Sequence, residues 1–288
     1  MNKKILFFGA NGYMGHGMAQ NLLKQNTVYV YVNKRRENID LLVSNGAKEI
    51  KTFNEIQNIE LDCLMLCVTN TPIAIEIANK VAPLLKNCSL VIDLTTHNKN
   101  GATNMKDIFD KFNISFVVSP VMGSKNESLN GILGSLWGGD RDKFNESKIY
   151  LNTFCKDVIN FGTVDKACAA KLLSNFLSLL TTTTVVEYFK SAEKLGVDWR
   201  KLFEVAKLGS GNSVALNRIA EKAIGGDYTG YTFSVSNTLK DLSYINDLVK
   251  DLPNAEKFSS VAKKFYEDSV EKGNGEFLIS ELIEKEKY

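Results

Sequence analysis

A net excess of charge is almost absent from this sequence: 35 Lys+Arg stand against 33 Asp+Glu, leaving a formal net charge of +2. That field is too weak to hold nucleic acid or an anionic membrane surface, so neither is expected as a partner and small molecules become the expected ligands. Proline is scarce, 4 in 288 residues, and no residue type dominates. Such a composition excludes disorder, collagen-like repetition and low-complexity scaffolding. No segment approaches the ~18 consecutive apolar residues of a membrane span. The opening Met1-Asn-Lys-Lys-Ile-Leu-Phe-Phe breaks at Gly9 and Asn11, before a secretory h-region of ~7–15 residues is complete. The five cysteines, Cys63, Cys67, Cys88, Cys155 and Cys168, form no CxxC pair and no Cys/His cluster with metal-ligand spacing. They read as reduced, buried thiols, with no metal expected and a cytoplasmic setting.

What is present divides into two textures, changing near residue 162. Before it, short runs rich in Val, Ile, Leu and Phe (4–8, 27–32, 61–68, 89–93 and 114–118) alternate with helical stretches. Continuous apolar strands separated by helices predict a parallel sheet covered on both faces. The later runs 131–139 and 157–161 have Gly-rich turns and closer spacing and predict that some of the late strands are antiparallel additions. From Val164 the strand texture disappears. The run from Ala167 to Val186 carries one cation, Lys171, before its end and predicts a long helix largely covered by protein. Amphipathic helices follow over 199–208, 214–224, 236–250 and 255–272. The expected organisation is a nucleotide-binding domain over 1–162 and an all-helical domain over 163–288, joined by the long helix.

The first strand runs into Gly9-Ala10-Asn11-Gly12-Tyr13-Met14-Gly15 and then into a helical stretch. A glycine-rich turn between strand and helix lets the backbone approach a pyrophosphate, whose charge the amides and dipole at the helix start stabilise. The pattern is GxxGxxG, with Ala10 where the usual GxGxxG has its first glycine. Opening a βαβ unit, the motif predicts a Rossmann-type, doubly wound, mostly parallel sheet that binds a dinucleotide. The carboxylate expected some 20 residues on, which would bind the ribose hydroxyls, is replaced by Asn33, followed by Lys34, Arg35 and Arg36. A neutral amide beside basic groups can accept a 2′-phosphate, favouring NADP over NAD. A solvated start to the next helix is the competing reading of the same cations.

Lys171 stands out on physical grounds alone. An ammonium within a long apolar helix incurs a desolvation cost unless it faces a polar cavity, and burial lowers its pKa toward the range useful for proton transfer. Asn175, one turn later, shares its face. A lysine snorkelling from a packed helix to water fits the same residues.

Five ordered blocks then carry a resemblance over nearly the whole chain: Gly12-Tyr-Met-Gly-His-Gly-Met-Ala-Gln-Asn-Leu, Asp93-Leu-Thr-Thr, Ser119-Pro-Val-Met-Gly-Ser-Lys with Gly131 and Gly138-Gly-Asp, Lys171-Leu-Leu-Ser-Asn, and Phe233 with Leu239-Lys-Asp-Leu. The sequence resembles the β-hydroxyacid dehydrogenase family, which includes 3-hydroxyisobutyrate dehydrogenase and the glyoxylate/succinic semialdehyde reductases. The resemblance implies Lys171 as catalytic acid/base and Asn175 as its partner, with Ser174 at a position often occupied by Asn. It implies Val68, Thr69 and Asn70 beside the cofactor, and Thr95 touching both nicotinamide and substrate. The turn Pro120 to Ser124 matches the substrate-binding loop, in which Met122 replaces the family's serine and leaves anchoring to the Gly123 and Ser124 amides and the Ser124 hydroxyl. Phe233 would wall the substrate pocket, while Lys240 and Asp241 would reach toward cofactor and substrate. Glu276, where the family often has Asp, receives no role.

The activity implied is hydride transfer between NADP and a small carboxylate-bearing aldehyde or hydroxy acid. The continuation Lys125-Asn-Glu-Ser-Leu-Asn-Gly looks more like the glyoxylate/succinic semialdehyde reductases. A 3-hydroxyisobutyrate dehydrogenase using NAD and, outside enzymes, a catalytically silent dinucleotide-binding module are the alternatives. A homodimer or homotetramer is expected by analogy.

Overall fold

A computed structural model describes residues 2–32 and 36–286. Up to Val118 the chain alternates strand and helix: β1 (Lys4–Phe8), α1 (Tyr13–Leu23), β2 (Thr27–Tyr31), α2 (Glu37–Ser44), β3 (Lys48–Ile50), β4 (Cys63–Leu66), α3 (Thr71–Val81), β5 (Leu90–Asp93), α4 (Lys99–Asp110) and β6 (Ser115–Val118). The six strands form one sheet in the order β3-β2-β1-β4-β5-β6, every pair parallel. β4 and β5 are buried along their whole length because helices cover both faces of the sheet, which is why their sequences are unbroken apolar runs rather than alternating ones. Two buried clusters lie on the two faces, one around Leu6, Leu64, Val91 and Phe116, the other around Ile5, Phe7, Met65 and Ile92. Each such side chain contributes roughly 1.5–3 kcal/mol on leaving water. The order reverses between β1 and β4, the place where ligands bind at the carboxyl ends of strands in doubly wound sheets.

The expectation that some late strands are antiparallel is met at one pairing of a second sheet. After β6 come β7 (Val121–Met122), α5 (Lys125–Asn130), β8 (Leu133–Trp137), α6 (Lys143–Leu151) and β9 (Cys155–Asn160). They form a separate sheet in the order β7-β8-β9, antiparallel at β7–β8 but parallel at β8–β9. One antiparallel bridge, Val118 with Gly138, ties this small sheet to β6 through reciprocal 2.9 Å hydrogen bonds. β3, of three residues, lies within no apolar run and gives no strand signal in the sequence.

α7 (Val164–Lys194) is longer at both ends than the apolar run predicts, because charged residues such as Asp165 and Lys190 continue the helix. Within it, Thr181, Thr182, Thr183 and Thr184 each return the side-chain hydroxyl to the carbonyl four residues back at 2.7–2.9 Å, which accommodates four β-branched residues in a row. α7 is also the described helix long and apolar enough to cross a membrane by length and composition. Its buried residues serve protein cores instead: Val164, Ala167 and Cys168 belong to that of the first unit. From Leu172 onward they belong to that of the second. The two compact units accordingly divide at Lys171/Leu172, inside the helix rather than ahead of it. The expectation of a largely covered helix is corrected, since Leu173 is 50% and Leu177 73% exposed.

The second unit continues with α8 (Trp199–Leu208), α9 (Val214–Ala223), α10 (Val235–Val249), α11 (Pro253–Glu271) and the short α12 (Leu282–Lys285). Asp198, Ser213 and Ser234 cap α8, α9 and α10 by accepting the amide three residues on. Their apolar faces enclose Phe189, Ile219, Leu242, Ile245 and Tyr266. Tyr266 keeps its hydroxyl satisfied 2.9 Å from Thr183 Oγ1, and burial pushes that phenol well above its ordinary pKa.

Candidate active site

The glycine turn follows β1. Gly9 adopts φ +90°, and a β-carbon there would sit 1.9 Å from the Cys67 carbonyl oxygen. At Gly15 a β-carbon would come 2.1 Å from the Gly9 carbonyl oxygen. The turn is closed by the Gly12 N–H on the Gly9 carbonyl at 3.0 Å. Ala10 is fully buried in the first unit's core, so the departure from the usual glycine places a methyl inside the protein. Asn11 is held by α2: its Oδ1 accepts the Asn38 N–H at 3.1 Å and its carbonyl accepts Asn38 Nδ2 at 2.8 Å.

α1 begins at Tyr13 with Gly12 as N-cap, so no side chain takes its first amides, whereas Asn70 and Asn98 cap α3 and α4. Exposed amides at the start of α1, with backbone cleared by two glycines, suit a pyrophosphate. Tyr13 is exposed there, and the Met14 carbonyl accepts the Ser128 hydroxyl at 2.7 Å. Asn21, at the end of the same motif, donates its amide to the Ser128 and Leu129 carbonyls, which fastens α5 to α1.

Asn33, Lys34 and Arg35 lie outside the described residues. Arg36 is described and is engaged: its guanidinium forms two 3.0 Å bonds to the Glu49 carboxylate and one of 2.9 Å to Asp40. Those two carboxylates hold Arg36 firmly charged.

Val68, Thr69 and Asn70 follow β4. Asn70 accepts the Ile73 N–H as cap of α3, and the Val68 N–H donates to Thr95 Oγ1 at 3.1 Å. Thr95 is 2% exposed and does not cap α4, a role Asn98 fills; its own N–H donates to Asp93 Oδ1 at 2.8 Å. The loop after β6 carries Met122, Gly123 and Ser124. Lys171 Nζ donates to the Val121 carbonyl at 2.9 Å and lies 3.3 Å from Met122 Sδ, so the expected acid/base and the departure from the family pattern are neighbours. The Ser124 N–H and hydroxyl both donate to the Glu127 carboxylate, the N–H at 2.9 Å. Gly123 thus supplies the loop amide that this bonding does not consume.

In the second unit Asn175 Nδ2 donates to Asp241 Oδ2 at 2.7 Å. Asp241 is buried, and its Oδ1 lies 2.9 Å from Lys240 Nζ, an ion-pair contact. Lys240 Nζ also lies 5.7 Å from the centre of the Tyr244 ring, and Phe233 packs against the unit's core. Asn38 and the partners of Asp93 carry no signal in the sequence, because their roles come from loops that only folding brings together, whereas Ser124-Lys-Asn-Glu127 is a capping-box pattern whose signal is local. Burial pushes the thiols of Cys88 up to about 11 and of Cys155 and Cys168 up to about 12, which keeps them protonated and unreactive. Among the described residues no group of three His, Cys, Asp or Glu side chains is arranged to hold a metal ion.

Comparison with known proteins follows the same division. Residues 4–162 match the model of the NAD binding domain of 6-phosphogluconate dehydrogenase, and residues 166–284 that of the NAD-binding region of NADP-dependent 3-hydroxyisobutyrate dehydrogenase. The chain is 25% identical to 2-(hydroxymethyl)glutarate dehydrogenase of Eubacterium barkeri, covering 97% of this chain and 93% of that one. It is 24% identical to glyoxylate/succinic semialdehyde reductase 2 of Arabidopsis thaliana, a chloroplastic protein, covering 95% and 76%. The structure of Mycobacterium tuberculosis 3-hydroxyisobutyrate dehydrogenase with L-serine superposes with a TM-score of 0.86 at 20% identity over 100% of both chains, showing the same fold.

Proposed function

The chain belongs to the β-hydroxyacid dehydrogenase family of NAD(P)-dependent enzymes acting on CH–OH groups, and from that premise we propose that it transfers a hydride between NADP and a small carboxylate-bearing aldehyde or hydroxy acid, with Lys171 as general acid/base. The observation that carries this reading is the seating of Lys171 Nζ on the Val121 carbonyl, 2.9 Å away in the loop that follows the parallel sheet. An ammonium has three protons, and the carbonyl that accepts one fixes the position of the nitrogen.

The Gly9–Gly15 turn and the amides of α1 would hold the dinucleotide, whose nicotinamide would supply the hydride. In reduction, Lys171 polarises the aldehyde oxygen and gives it a proton as negative charge develops; in oxidation the neutral amine takes the hydroxyl proton. Asn175, held by Asp241, orients that oxygen. Thr95 fixes the reacting end of the cofactor, and the Gly123 amide anchors the substrate carboxylate. Met122, a weak acceptor beside Lys171, leaves the ammonium without a competing strong hydrogen bond from that position.

Glyoxylate or succinic semialdehyde is the preferred substrate class, with the Arabidopsis relative as precedent. The L-serine bound to the mycobacterial relative is itself a 3-hydroxy acid, which supports the 3-hydroxyisobutyrate alternative. Preference for NADP rests on Lys34 and Arg35, since Arg36 is paired with Glu49 and Asp40. The exposed Leu173 and Leu177 on α7 suit burial in a homodimer or homotetramer, and five free cysteines suit a reducing cytoplasm. Mixing the protein and NADPH with glyoxylate, succinic semialdehyde and methylmalonate semialdehyde tests the assignment. Oxidation of NADPH by one of them is expected. Bound but unconsumed NADPH across the panel, with NADH equally inert, contradicts it.

A further inference from the structure

Asp93 ends β5 with its carboxylate fully enclosed. Its Oδ1 accepts the Thr95 N–H at 2.8 Å, and its Oδ2 lies 2.8 Å from His97 Nε2. The second imidazole nitrogen, Nδ1, lies 3.0 Å from Thr71 Oγ1. With neutral imidazole the arrangement is satisfied when Nε2–H donates to Asp93 and Nδ1 accepts the threonine proton. Asp93 and His97 are at most 1% exposed and Thr71 only 7%. A buried ionisable pair of this kind is weak evidence for stability, since apolar residues of similar volume do as well or better. Its location supplies another reason for it.

Thr71 is the first residue of α3 and follows directly on Val68–Asn70. Thr95 lies between Asp93 and His97 in sequence and accepts the Val68 N–H. The hydrogen bonds therefore run from Val68 to Thr95, to Asp93, to His97 and to Thr71, returning to the loop where they began. Two loops, one after β4 and one after β5, are closed into a single ring at the carboxyl edge of the parallel sheet, where doubly wound folds hold their ligands. A hydroxyl has one proton; because Thr95 Oγ1 receives the Val68 amide, that proton is available to donate outward.

We propose that Asp93, His97 and Thr71 form a positioning network that holds the Thr95 hydroxyl and the 68–70 loop in the geometry hydride transfer requires, with His97 as the residue that joins the two loops. The assignment rests on the reading that Thr95 and residues 68–70 face the bound dinucleotide. It predicts an effect on turnover rather than on affinity: loosening the ring displaces Thr95, and misplacement by about 1 Å can cost ~100-fold in rate.

The chain has only two histidines, so imidazole ¹H–¹⁵N spectra of the full-length protein assign His97 by comparison with His97→Gln. NADP and NAD are titrated by protein fluorescence and by these spectra, and turnover is measured on the same preparations with the aldehyde panel. Dinucleotide binding is expected to shift the His97 resonances. His97→Leu is expected to lower kcat by about 10- to 100-fold at nearly unchanged dinucleotide affinity and KM. His97→Gln, whose amide can donate to Asp93 and accept from Thr71, should recover most of that loss. A His97→Leu protein with a lower Tm but wild-type kcat well below it would show a structural role only and overturn the proposal. Should the leucine variant fail to fold, Thr71→Val removes one hydroxyl at constant shape, and wild-type kcat with unmoved His97 resonances on cofactor binding is again the contrary result. Failure of both dinucleotides to bind would remove the cofactor reading and the network with it; binding without an effect at His97 removes the network alone.

Discussion

The two units build the residues proposed for the chemistry by different means. In the first, glycines with enforced conformations clear the backbone at the carboxyl end of β1: Gly9 at φ +90° and Gly15 against the Gly9 carbonyl. In the second, the proposed groups are side chains on helices, one holding the other, as Asp241 holds Asn175 at 2.7 Å. A backbone-built site tolerates varied side chains but no added β-carbon. A side-chain-built site tolerates backbone variation but depends on pairs.

That contrast can be broken most severely at the glycine turn. Gly15→Ala should cost about 3 kcal/mol, the upper end of overpacking effects, because the colliding atom is backbone oxygen. Loss of NADPH binding in a titration, together with a lower Tm, would be the signature. Wild-type affinity would show that the turn has slack the structure does not display. Next in size, Asn175→Ala and Asp241→Ala should each lower kcat by about 10- to 100-fold, and the double variant should fall no further than the worse single one, because Asp241 acts through Asn175. Additive losses would give Asp241 a separate role at the substrate. Arg35→Ala should weaken NADP by about 10-fold, the worth of a charge-assisted hydrogen bond, and leave NAD unaffected. Equal weakening of both dinucleotides would contradict the phosphate-clamp reading.

The smallest effect concerns His16 on α1. Burial, reinforced by Lys125, depresses its pKa below 6.5, against a hydrogen bond to the backbone of Asn38 that works the other way. The folded protein therefore binds that proton less readily than the unfolded chain, so His16 subtracts stability as pH falls below about 6.5 and has no effect above it. Tm measured from pH 7.5 down to pH 5 should decline less in His16→Gln than in wild type.

The sequence signals for the first unit are strong because each is local. An apolar run marks a buried strand, as at Cys63–Leu66, and a glycine-rich turn at a strand end marks a phosphate cradle. The small sheet β7-β8-β9 reads only as late antiparallel strands, since its mixed pairing depends on β9 lying parallel to β8, which no run of residues announces. In the second unit the helices are legible from periodicity within a few residues, and Lys171, at the end of the first, from the rarity of charge around it. Its neighbours are not. That Lys171 meets Val121 and Met122, and that His97 joins Asp93 to Thr71, are facts of tertiary structure. Charge rarity locates a residue worth asking about; only packing says what it touches.

The proposed chemistry stands on Lys171 as the proton donor and acceptor beside the dinucleotide. Dissociation constants for NADPH and single-turnover rates measured on one preparation of Lys171→Ala test this directly. Nearly unchanged affinity is predicted, with a rate reduced by ~10²–10⁴-fold. Hydride transfer at the wild-type rate in that variant would contradict it.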